Sequence, residues 1–398
     1  MLNRPVSGST VTKTTVTKTT AFNFDEQIDR RPTRALKWLK YEGTDILPMW
    51  VADTEFKAPP AVIQALSERV AHGIFGYSRP SNELTELIIK RMSDRYHWQI
   101  EADWIVYMPG VVPALNLACE TFSEPNGNII TVKPIYYPFL HAPGFHGRKA
   151  AYVDMVEVDG RWLLDLAQLE EQAKHSDLFL LCNPHNPGGT IYTEAELLAI
   201  NDIAARHNVL VCSDEIHCDL LLEAGKAHIP YAALNDDAAK RSIVLMAPSK
   251  TFNIAGLCCS FAIIPNAELR DRFTRAARGI MADVNLLGFV AAEAAYQDGD
   301  DWLDAQLVYL RENRDLLVAR LNQVPGVKVL SPEATYLAWI DISALDLEDP
   351  IGFFEQAGVG VSPGGQFGGS DFIRLNFGCS RAMLDEALDR MITAITAR

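Results

Sequence analysis

The run Ala247-Pro248-Ser249-Lys250-Thr251-Phe252-Asn253 decides how this chain is read. It directly follows a short apolar run, Ile243 to Met246. About 36 residues upstream, a second apolar run, Val209 to Cys212, delivers Ser213-Asp214-Glu215-Ile216-His217. A third, Leu178 to Cys182, delivers Asn183-Pro184-His185-Asn186-Pro187. In an open α/β sheet, ligands bind just beyond the carboxyl ends of the strands. An amine, a carboxylate and an amide are therefore aimed at one crevice. That set meets the needs of pyridoxal 5'-phosphate (PLP): a lysine for its aldehyde and an aspartate for its pyridine nitrogen.

Around these runs the pattern alternates helical and extended segments. Ala61 to Gly73 reads as an amphipathic helix with Val62, Ala65, Leu66 and Val70 on one face. Ile105 to Met108 reads as a strand, Pro113 to Thr121 as a helix and Asn128 to Val132 as a strand. Glu194 to His207 has helical periodicity before the strand at Val209. Repeated β–loop–α units of this size imply an α/β fold with a mostly parallel central sheet covered on both faces. After about residue 300 the rhythm changes. A long helix, Trp302 to Asn322, leads into extended runs at Val327–Leu330, Tyr336–Asp341, Gly358–Val361 and Phe372–Asn376. The expected division is a polar extension (1–20), a segment packing with the small domain (21–60), a large cofactor-binding domain (61–300) and a smaller α+β domain (301–398).

Composition excludes several classes. Hydrophobic residues at 48% and charged residues at 22% are ordinary for a globular protein. Lys plus Arg is 36 against 51 Asp plus Glu, a net charge of −15, which argues against nucleic acid or an anionic membrane as the main partner. No stretch approaches the roughly 20 apolar residues of a bilayer span. The seven cysteines form no C-x-x-C pair and no zinc spacing, so no metal is expected and a reducing cytoplasm fits. Residues 11–20 repeat one pentapeptide, Val-Thr-Lys-Thr-Thr, too few copies for a solenoid.

Each candidate carries a bland reading beside the chemical one. A lone lysine is usually solvated, but Lys250 ends a strand beside Ser249. To attack an aldehyde its pKa must fall from about 10.4 towards neutrality. Asp214 would keep a pyridine nitrogen protonated. The competing nucleotide reading needs G-x-x-x-x-G-K-[ST], with glycines where Val244 and Ser249 stand, and fails. Pro109-Gly110-Val111-Val112 lies between a strand and a helix, where free N–H groups favour an anion; Ser249 adds a hydroxyl. Asn186 is equally well explained as turn chemistry. Tyr136 would stack on a planar ring or pack in the core. Arg374, on the alternating run Phe372 to Phe377, would grip a carboxylate or form a surface ion pair.

Together these motifs resemble the fold type I PLP enzymes, the aspartate aminotransferase superfamily, from about Phe22 to the C-terminus. Within it the chain looks most like the cystathionine β-lyase-type C–S lyases. The runs that carry the likeness are Leu47-Pro48-Met49-Trp50-Val51-Ala52-Asp53, Gly73-Ile74-Phe75-Gly76-Tyr77-Ser78, Pro109-Gly110-Val111-Val112-Pro113, Asn183 to Pro187, Asp214 to His217, Ala247 to Asn253, and Arg374-Leu375-Asn376-Phe377. The resemblance implies that Lys250 holds the cofactor and Asp214 its ring nitrogen. It implies Asn186, with His217, on the phenolic oxygen, Tyr136 against the ring, and Gly110, Val111, Val112 and Ser249 at the phosphate. Tyr77 would reach the phosphate of a neighbouring subunit, which implies a homodimer. Arg374 would bind the substrate carboxylate, with Asn186, Trp50, Ala52 and Tyr336 lining the pocket.

Two positions depart from many aminotransferases of this fold. His217 stands where they carry a tyrosine, and Cys258 where they carry a phosphate-binding arginine. Both departures resemble the C–S lyase branch and favour α,β-elimination from an S-substituted L-cysteine. An aminotransferase is the alternative. A PLP-binding regulator is a third reading, but regulators that join this fold to DNA recognition need a basic helix-turn-helix module.

Overall fold

The computed structural model describes residues 22–398, so the repeat at 11–20 lies outside the described residues. The strands, in chain order, are β1 (Leu47–Pro48), β2 (Ile105–Met108), β3 (Asn128–Lys133), β4 (Lys149–Val158), β5 (Arg161–Leu164), β6 (Ser176–Cys182) and β7 (Leu210–Asp214). They continue with β8 (Ser242–Met246), β9 (Ser260–Ile263), β10 (Lys328–Val329), β11 (Leu337–Asp341), β12 (Val359–Gly360), β13 (Ser362–Pro363) and β14 (Phe372–Asn376).

Eight of these form one sheet in the order β2-β9-β8-β7-β6-β3-β4-β5. The middle of it, from β8 to β4, is parallel throughout. Strand β9 runs antiparallel to both β8 and β2. Parallel strands covered on both faces read as unbroken apolar runs, and every residue of β8 is buried. The helix Glu194–Arg206 carries the chain from β6 to β7. Its start is fixed by a capping box: Thr193 accepts from the Glu196 amide, and the Glu196 carboxylate accepts from the Thr193 amide.

Local readings hold within a few residues, and three differences have physical causes. The helix expected from Pro113 begins at Val111, directly on Gly110, because Pro is tolerated in a first turn whose N–H groups are unpaired anyway. The extended run Gly358–Val361 forms only the two-residue β12, paired in parallel with β1 instead of joining the small sheet. The β4–β5 hairpin went unassigned. Its two-residue turn is Asp159-Gly160, both with positive φ (50° and 75°), and Asp-Gly between alternating apolar residues is the signal that marks it.

The small sheet, β10-β11-β14-β13, is antiparallel. The stretch between β10 and β11, Pro332 to Thr335, threads between two loops of the large sheet. Ala334 N donates to Gly189 O at 2.9 Å and Thr335 N to Leu220 O at 2.8 Å. The segment from Phe22 is stitched to the C-terminal part: Met49 N donates to Gly360 O at 2.8 Å, and Asn376 N to Met49 O at 2.9 Å.

Candidate active site

Register aligns the strand ends that deliver the candidate residues. Cys182 on β6 faces Asp214 on β7, and Asp214 faces Leu245 on β8. Asn183 N donates to Asp214 O at 2.9 Å, and Glu215 N to Leu245 O at 2.8 Å. After β8 the chain turns tightly, with Phe252 N donating to Pro248 O at 3.0 Å, and Lys250 sits inside that turn. Lys250, Asp214 and Asn186 therefore share one rim of the sheet.

A strap of backbone, Trp50 to Asp53, crosses this rim. Four successive carbonyls on it accept site donors. Trp50 O takes Arg374 Nη2 at 2.9 Å and Val51 O takes Asn376 Nδ2 at 2.5 Å. Ala52 O takes Lys250 Nζ at 2.6 Å and Tyr336 Oη at 3.1 Å. Asp53 O takes Asn376 Nδ2 at 2.7 Å and Lys37 Nζ at 3.2 Å. Asn253, in the left-handed region at φ 56°, locks the far end: its amide exchanges hydrogen bonds with Thr54 and donates to Phe56 O.

Burial sets the electrostatics. It pulls the Lys250 amine down to about 8, opposed by Asp53 and Asp214 and assisted by Arg374. It pushes the Asp214 carboxyl up to about 7 and holds the His217 imidazole down to about 3. The Arg374 guanidinium falls to about 10, still a cation at neutral pH. Arg374 Nη1 donates to Asn186 Oδ1 at 3.1 Å, its guanidinium lies 4.5 Å from the centre of the Phe367 ring, and Nε has no partner. Tyr136 sits beside Tyr137 with ring centres 4.9 Å apart, and its amide donates to Asn186 O.

These residues fit PLP on three counts. The helix at Val111 has no side-chain cap, so its first N–H groups are free to meet an anion. Asp214 Oδ1 accepts from the Ile216 amide at 3.0 Å, and among the described residues no donor engages Oδ2. His217 Nδ1 is buried without a partner. Tyr77 lies apart, fully exposed, and Val112 is exposed as well. Sequence reasoning missed the anchors Asn253, Asn376 and Lys37. Lys37 and Asn253 lie outside the strand termini where chemistry is sought, though an Asn three residues beyond Lys250 is a turn signal, and Asn376 ends β14, a terminus the reading passed over for Arg374.

A mostly parallel sheet presenting lysine, aspartate and amide on one rim, beside a small antiparallel domain, is the architecture of the fold type I PLP enzymes. The chain belongs to the family described as aminotransferase class I and II, which it matches over residues 45–391. It is 40% identical to cystathionine beta-lyase PatB of Bacillus subtilis (strain 168), over 94% of this chain and all of the relative. The crystal structure of OvoB is similar at a TM-score of 0.93 and 51% identity, covering 95% of this chain and all of that one. Cystalysin from Treponema denticola, which contains a pyridoxal 5'-phosphate cofactor, is similar at a TM-score of 0.91 and 34% identity, covering 94% and 99%. Among the described residues no cluster of His, Cys, Asp and Glu suits a metal, and no helix is long and apolar enough to cross a membrane.

Proposed function

We propose that this chain is a PLP-dependent carbon–sulfur β-lyase that cleaves cystathionine or another S-substituted L-cysteine to a thiol, pyruvate and ammonia. The observation that carries the reading is the buried Lys250 amine, held by Ala52 O opposite an Asp214 carboxylate that has an oxygen to spare. When bound, the cofactor supplies a protonated pyridine ring that accepts the electron pair left by the Cα–H bond. Asp214 keeps the ring nitrogen's proton, because an ionised carboxylate beside it favours the charged form. Arg374 receives the substrate carboxylate through its planar fork, with Asn186 and Trp50 O fixing its orientation. Lys250, more readily neutral than a free lysine because burial lowers its pKa, takes the Cα proton as general base. The C–S bond then breaks towards the thiolate, and the three-carbon remainder hydrolyses.

The other assignments follow the same reading. The amides of Val111 and Val112, with Gly110 and Ser249, hold the phosphate. Asn186 and His217 meet the phenolic oxygen, Tyr136 covers the ring, and Tyr336 and Ala52 line the substrate pocket. Tyr77 serves a partner's site in a cytoplasmic homodimer. Residues 61–300 act as the large domain, with 22–60 and 301–398 as the small one.

The test is pyruvate released per active site from L-cystathionine with no keto acid present. Many turnovers are expected, and none from Lys250→Ala. One equivalent of amine-form cofactor without pyruvate would make the chain an aminotransferase instead.

A further inference from the structure

A second lysine lies behind the strap. Lys37, on the short helix Leu36–Leu39, has a fully buried side chain. Its Nζ lies 2.8 Å from Glu55 Oε1, 3.5 Å from Asp53 Oδ1 and 3.2 Å from Asp53 O. Arg30 closes the cluster, 2.8 Å from Asp53 Oδ2 and 2.9 Å from Glu55 Oε1. Trp38 Nε1 and Trp50 Nε1 tie the two segments together through Glu55 Oε2 and Lys37 O.

The charges count evenly. Arg30 and Lys37 balance Asp53 and Glu55 with nothing left over. Asp53 immediately follows Ala52, whose carbonyl holds Lys250 Nζ, so its carboxylate is the nearest anion on the strap side of the site. Yet that carboxylate is already shared by two cations. The groups facing Lys250 from the other elements are Asp214 at the end of β7, His217 just beyond it, Arg374 on β14 and Tyr336 ahead of β11. Of these only Asp214 is an acid, and the proposed cofactor engages it.

We infer that Lys37 and Asp53 act as a positioning couple for Lys250: Lys37 occupies Asp53, denies the catalytic amine a counter-ion of its own, and so makes that amine easier to deprotonate. The couple also fixes the strap, because Lys37 binds both the carboxylate and the carbonyl of Asp53. The inference rests on the assignment of Lys250 as the reactive amine, not on which reaction follows.

Two substitutions should act in opposite directions, which simple loosening of the fold would not do. Lys37→Met returns Asp53 to Lys250 and should raise the amine's titration midpoint by about one pH unit. Asp53→Asn removes the anion and should lower it by a similar amount. Lys37→Arg keeps the charge and should leave it near the wild-type value. The measurement is the pH dependence of Lys250 labelling by acetic anhydride in the cofactor-free protein, read at the Lys250 peptide by mass spectrometry. Lys37→Met leaves Arg30 alone against two carboxylates; if that variant does not fold, Lys37→Gln, which keeps a donor without the charge, is read in its place and should raise the midpoint likewise. A midpoint unmoved in Asp53→Asn, or both variants moving the same way, overturns the inference. Absence of pyruvate with the midpoints shifted as expected would instead remove the lyase reading and leave the couple standing.

Discussion

Burial disfavours the charged forms of Lys250 and Asp214 alike. Asp214 shows this in a measurable way. Its folded pKa, about 7, lies above the ordinary carboxyl value, so the stability it contributes is complete below pH about 4 and is lost as pH rises through about 7. The cofactor-free protein should therefore weaken across that window, while Asp214→Asn should not. At pH 8 the variant should be more stable by up to about 4 kcal/mol, yet should bind PLP at least tenfold more weakly. Urea melts at pH 5 and 8 would check the first part; an equal change in midpoint between the two pH values in both proteins would refute it. At this scale the sequence was most legible. Lysine, aspartate and arginine stand at strand ends or on alternating runs, where position speaks for itself. Lys37 was opaque, because a lysine near the N-terminus announces nothing until the fold buries it beside Asp53.

The elements owe their relation to close backbone approaches. Gly189, at φ 72°, lets the loop after β6 touch the chain at Pro332; an added Cβ would lie 2.4 Å from Pro332 Cβ. Gly189→Ala should cost about 3 kcal/mol, from crowding and a left-handed conformation together. A urea midpoint unchanged by the substitution would show that the crossing yields instead. Thr335, three residues on, is fully buried with φ 73°, a conformation β-branched residues avoid. It precedes Tyr336, whose hydroxyl shares Ala52 O with Lys250. Relieving that strain with Thr335→Gly should lower kcat more than stability, since Tyr336 loses its fixed approach; a pyruvate assay beside a thermal melt separates the two. Strands and helices with one strong periodicity were readable in the sequence. The strap was not: Trp50 to Asp53 has no periodicity, and its function lies in carbonyls that every residue possesses.

At the scale of the molecule, the helix Pro60–His72 buries Val62 and half-buries Ala65 and Leu66, so of its expected apolar face only Val70 is left exposed in the single chain. Val70, Ile74, Phe75 and Tyr77 form an exposed strip, with Ile280 also exposed. A stable homodimer is expected from it, and Ile74→Glu should shift sedimentation towards monomer and cost cofactor affinity through Tyr77; an unchanged dimer would move the interface elsewhere. The order in which the molecule becomes complete follows from the strap. Lys250 and Asp214 both lie within the first 250 residues to be synthesised, and domains tend to fold as units, N-terminal first. The strap must wait, because its partners Arg374 and Asn376 follow the Trp50 and Val51 carbonyls they bind by 324 and 325 residues. Until β14 is made, Lys250 stands without the Arg374 guanidinium and without an anchored strap across it. The pocket is therefore assembled only after β14 has been made.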